Sequence, residues 1–140
     1  MLIRYSDARR RCAHSAYRLP ALRWSGESGS LRLAAGHQIE WLSRVSTNSD
    51  LAKVWAKEGM DVEAYQEQMT ANRMFCQLSL RHRLGLVSDR QLSFYARVLM
   101  ENEACKRYWA QFGRLREEEA EGDKTGAKFT KAMSLAAHAA

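Results

Sequence analysis

Between Asp61 and Leu115 the apolar side chains return with helical periodicity in two runs separated by a short break. In the first run Val62, Tyr65, Met69, Cys76 and Leu80 form a stripe, with Asn72 the one polar residue set into it. The break is Gly85-Leu86-Val87-Ser88. Gly85 suits the left-handed residue that closes a helix, and Ser88 followed by Gln91 has the spacing of a capping box that opens the next. The partner helix runs from Asp89 to about Met100 and presents Leu92, Tyr95, Ala96 and Leu99, so the region reads as a helical hairpin.

The same pattern extends outward on both sides. Upstream, Leu31, Ala35, Ile39, Leu42 and Val45 follow helical spacing to about Val45, with Glu40 and Arg44 as an i,i+4 pair on the wet side. Thr47-Asn48-Ser49-Asp50 offers caps for a short helix carrying Leu51, Val54 and Trp55 that ends at Gly59, and Asp61 caps the long helix after it. Downstream, Asn102 caps a helix with Tyr108, Phe112 and Leu115 on one stripe. Thr125 opens a last helix that turns Phe129, Met133 and Ala136 inward. The expected fold is all-α: a single-domain bundle of about five helices over residues 31–140, preceded by a flexible arm over residues 1–30 whose linker, Pro20 through Ser30, is rich in serine and glycine.

Composition supports a packed core. Four tryptophans, five tyrosines and four phenylalanines argue against wholesale disorder, and a single proline leaves room for long helices. The net charge of +6 is uneven: from Met1 to Gly36 seven arginines face two acidic residues, while the rest of the chain has 15 basic and 14 acidic side chains. The basic character therefore belongs to the leader, around Arg9-Arg10-Arg11. Cys12, Cys76 and Cys105 are odd in number and far apart, which points to reduced thiols in a cytoplasmic protein rather than to a disulfide framework or a zinc site. No apolar run approaches the roughly 20 residues that span a bilayer, so no membrane span is expected.

The candidate chemistry is sparse. His37, Glu40, Trp41 and Arg44 share two helical turns, but His37-x-x-Glu40 lacks the second histidine of a zinc-protease helix, and a solvated face with a packed Trp41 is the better account. Asn72 needs partners for a buried amide, and reads as an interhelical device bonding a neighbouring helix terminus or loop. Arg73, Arg81, His82 and Arg83 read as a solvated basic face of the same helix. Arg107, Tyr108 and Trp109, with Arg114 and Arg116, combine cations with rings as a phosphate or base site would, yet Glu117 to Glu121 would repel a polyanion, so core packing with local ion pairs is favoured. The methionines Met60, Met69, Met74, Met100 and Met133 fit core filler. No catalytic triad order, phosphate loop or nucleotide fingerprint is present, and no metal or cofactor is expected.

The residues from His37 through Trp55, then Asn72, then Gly85-Leu86-Val87-Ser88-Asp89 with Leu92, and Arg107-Tyr108-Trp109 with Arg114, Arg116 and Phe129, resemble a family of small helical actinobacterial proteins known as domain of unknown function 6082. The resemblance covers about 100 residues, from His37 to Met133. It implies an α-helical fold and carries no activity with it. Some members of that family have a membrane-spanning N-terminus; this chain departs from them, with an arginine-rich leader there instead.

Three functions compete on this reading. The leading one is a soluble regulatory or accessory module that binds another protein through an exposed anchor, for which Trp41, Trp55 and Trp109 are the candidates. The second is nucleic-acid binding through Arg9, Arg10 and Arg11. The third is a small-molecule binder or enzyme using the bundle interior, with His37, Glu40 and Asn72 as its polar groups.

Overall fold

Each helix of this protein begins and ends where its local chemistry asks it to. The computed structural model describes residues 28–140, and of Ser28, Ser30 and Leu31 it describes the backbone alone. Arg9, Arg10, Arg11, Cys12 and the remainder of the expected arm before residue 28 lie outside the described residues, as does the inward placement of the Leu31 side chain. Six helices and no strand make up the described residues: α1 (Ser28–Thr47), α2 (Ser49–Trp55), α3 (Val62–Arg83), α4 (Asp89–Met100), α5 (Glu103–Glu119) and α6 (Lys124–Ala139). The count is six, one more than the expected total of about five, and the short α2 is among the stretches that the pattern marked, the Asn48 side chain accepting from the Leu51 amide at 3.0 Å.

Four boundaries match the expected caps. Asp61 accepts from the Ala64 amide, Asn102 from the Ala104 and Cys105 amides, and Ser88 and Gln91 form the reciprocal capping box. At the end of α3, Gly85 has φ +72°, its amide donates to the His82 carbonyl and the Leu86 amide donates to the Arg81 carbonyl, the pair of bonds that makes a Schellman turn. Three boundaries differ from expectation, the first being the end of α2, which stops at Trp55 with Ala56 as its cap while Gly59, at φ +80°, lies in the turn that follows. Ser28-Gly29-Ser30 is the first turn of α1 rather than linker, since serine and glycine are tolerated at a helix start whose amides lack partners in any case. The cap of α6 is Asp123 rather than Thr125, because a carboxylate reaches both the Thr125 and Gly126 amides at 3.1 Å.

Helix α3 is the spine of the bundle. It packs along α1 on one side and against α5 on another, while α6 lies against α4 and α5. Two-sided packing explains why α3 buries Ala71, Phe75 and Leu78 beyond the single expected stripe. The core gathers Leu42, Val45, Met69, Phe75, Leu92, Met100, Cys105, Tyr108 and Met133, with Met60 and Met74 filling its edge. Val54 is a correction: it is 61% exposed, because a seven-residue helix has one inward side and Ala52, with Leu51 and Trp55 beside it, takes it. Among the described residues no helix is long and apolar enough to cross a membrane.

Candidate functional site

The only polar side chain set deep into α3's apolar stripe has found partners across the bundle. Asn72 is fully buried, and its Oδ1 accepts from the Tyr108 hydroxyl at 3.0 Å, from the Cys76 thiol at 3.4 Å and from the Arg116 guanidinium. Three donors on one oxygen settle which end of the amide points at them. Arg116, partly exposed along its length, brings its guanidinium inward, donating also to the Tyr108 hydroxyl at 3.0 Å and standing 5.8 Å from the Tyr108 ring centroid. Burial pushes the Tyr108 phenol up to about 12, against the pull of Arg116. The partners of Asn72 are thus Cys76 on its own helix and two side chains of α5, not the helix terminus or loop expected, and Arg116 belongs to the interior rather than to a surface ion pair.

The candidate residues are otherwise scattered. His37 and Glu40 are exposed on α1, with Glu40 held by Arg44 at 2.6 Å, so they share no interior site with Asn72. Trp41 and Trp55 are half-buried and meet edge to face, their ring centroids 5.6 Å apart. Trp109 is 5% exposed and is core rather than anchor: its ring tilts against Phe75, its indole N–H donates to Ser134 Oγ, and a Cβ on Gly113 would stand 2.8 Å from its nitrogen. Arg107 lies on the surface and pairs with Glu67 at 2.8 Å.

The expected solvated basic face of α3 is also corrected. His82 is 7% exposed, and its Nε2 meets Asp89 Oδ1 at 2.8 Å. Arg83 pairs with Asp123, the cap of α6, and Arg73 donates to Ser43 Oγ at 3.1 Å. Lys128 completes this corner at 2.8 Å from Asp89 Oδ2, so α3, α4 and α6 are pinned together by charge. Hydrogen bonds from His82 and Lys128 hold the Asp89 carboxyl below its ordinary value. Burial pushes Asp123 up, yet Arg83 and the Gly126 amide outweigh it and hold that carboxyl low as well.

None of these groups assembles into reactive chemistry. A cleft of about 480 Å³ between α5 and α6 is lined by Trp109, Arg114, Glu117, Ser134 and His138, and several of its polar groups already have partners, Arg114 pairing with Glu118. Ser134 donates to Glu117, and His138 Nδ1 sits 2.6 Å from the Ser134 carbonyl. Among the described residues no three carboxylate, thiol or imidazole groups converge as metal ligands. Cys76 and Cys105 are buried free thiols, and burial pushes Cys105 up to about 11, away from the reactive thiolate.

One surface feature went unread in the sequence. Helix α4 turns Leu92, Ala96, Leu99 and Met100 inward and leaves Phe94 55% and Val98 43% exposed on its outer face. Arg90 and Arg97, also exposed, enter no ion pair among the described residues. An i,i+4 apolar pair could have been found by asking which positions the inward stripe of α4 leaves over.

No curated protein and no solved structure matches this chain. A family model does match, and it extends past the His37–Met133 span of the resemblance at both ends. Covering residues 16–140, it is that of the family of unknown function DUF6082, to which this chain belongs.

Proposed function

We propose that this protein is a small helical interaction module that binds another protein through the outer face of α4. The observation that carries the reading is the exposed Phe94 and Val98 pair, one turn apart on a helix whose other face is fully committed to the core. Such a side chain keeps water-exposed apolar area that a partner can cover, and large aromatics concentrate the energy of protein interfaces. Trp41 and Trp55 are poorer anchors, since each already covers part of the other and of the core. In the α5–α6 cleft Ser134 donates to Glu117 and accepts from Trp109, so those polar groups already have partners and support the small-molecule reading less than the free α4 face supports this one.

Affinity capture from the source cells tests this, comparing the parent chain with Phe94→Asp/Val98→Asp and with Trp41→Ala. Retention of a partner by the parent and by Trp41→Ala, with loss of about tenfold or more in the α4 variant, is expected for an anchor worth on the order of 2 kcal/mol. A captured set indifferent to the α4 variant, with its circular dichroism unchanged, would sink the reading.

A further inference from the structure

We infer that the partner is a second copy of this chain, with the α4 face of one copy seated on the α2–α3 corner of another. The inference rests on the reading of α4 as a protein-binding face, and adds which surface it fits. At the α2–α3 corner Val54 is 61% exposed beside the half-buried Trp55, and the chain leading from them into α3 carries the exposed residues Glu58, Asp61 and Glu63. None of the three enters an ion pair among the described residues. An exposed apolar side chain is thus followed by acids that carry no counter-charge among the described residues, Asp61 also capping α3. The α4 face is its counterpart, an apolar pair flanked by Arg90 and Arg97, cations without an ion pair among the described residues.

The minority charges agree too: Lys57 lies within the acidic corner and Glu101 just beyond the last turn of α4. Complementary patches of this kind steer encounter and fix orientation more than they add affinity.

One chain is unable to join its own patches. The corner leads into Val62, the first residue of α3, while α4 follows its last residue, Arg83, and 22 helical residues separate the two by about 33 Å. The contact therefore runs between copies: each offers one patch at either end of α3, and copies join as an antiparallel pair, a short open chain or a ring. The apolar groups involved are few, so the association is weak and concentration-dependent, and exposed charges make it salt-sensitive.

Sedimentation velocity of the full chain, from micromolar to near-millimolar concentration at low and high salt, reads this directly. The average mass is expected to rise with concentration at low salt and to fall back at high salt. Arg90→Glu/Arg97→Glu makes both patches acidic, and Glu58→Lys/Glu63→Lys makes both basic, so each variant alone should associate at least roughly tenfold more weakly than the parent. Mixed together, the two should assemble again, because each patch of one then meets an opposite patch of the other. Misfolding of either variant does not produce that rescue. A chain that stays monomeric throughout, or one that assembles without regard to either charge reversal, overturns the inference. If α4-dependent capture of a different protein persists in that event, the interaction reading stands without self-association; if capture is also lost, both fall.

Discussion

The polar cluster around Asn72 and the one around Asp89 each tie helices together through hydrogen-bonded side chains, but one is in the interior and the other at the surface. In the interior, Tyr108 and Asn72 are fully buried, and the Arg116 guanidinium reaches in to join them. Burial works against that charge, while Tyr108 and Cys76 hold it on, so Arg116 keeps its proton more tightly than a free arginine. At the corner, the Asp89 side chain is 63% exposed, and water remains available to it if His82 or Lys128 lets go. The lesson concerns the cost of loss. A surface charge that loses its partner is resolvated, whereas an interior donor that loses its acceptor is stranded.

The sharpest break between the two clusters is expected from Asn72→Leu. It removes the oxygen on which three donors converge and should destabilise by on the order of 3 kcal/mol in urea titrations, as for other buried charged groups left without an acceptor. Adding Arg116→Met should restore a large part of that loss, since replacing a whole buried polar set by apolar groups is far less harmful than halving it. If the single variant is no worse than a surface change, Arg116 escapes to water along its exposed stem, and the contrast between the clusters is smaller than the contacts indicate.

A middle-sized effect should come from the backbone beside the corner rather than from its charges. Gly85→Val forces a β-branched residue to φ +72° and should cost about 1 kcal/mol or more, read from the same titrations. A parental transition midpoint would show that the Schellman turn can relax at no cost.

The smallest effect should be the acid response of the corner. Asp89 and Asp123 both titrate below the ordinary 3.8 in the folded chain. Their contribution is therefore fully present above the unfolded value and is lost as pH falls through the lower folded values. Melting temperature should hold from neutral pH down to about 5 and decline below about 4, where unfolded aspartates bind protons first. Asp123→Asn, which can still cap α6, should flatten that decline more than Asp89→Asn, because Asp123 and Arg83 are both largely shielded from water and Asp89 is not. A decline of equal steepness in the parent and both variants would place the acid sensitivity elsewhere.

The helices, most of their caps and the hairpin were legible because each depends on residues a few positions apart. Ser88 with Gln91, Asn102 with Cys105, Gly85 with His82 and Leu86 with Arg81 are contacts made within a few residues of chain. The burial of Asn72 was legible for a related reason, since its position on a 3.6-residue stripe needs no knowledge of what covers it. The identity of its partners was not, because Tyr108 and Arg116 stand 36 and 44 residues away. The same reason hid the inward turn of Arg116 and the removal of Trp109 from the surface: their partners Asn72 and Phe75 lie on another helix. Periodicity determines which face of a helix is apolar; only the packing of α3 between α1 and α5, and of α6 against α4, decided which polar groups had to follow it inside and which apolar ones, Phe94, Val98 and Val54, were left in water.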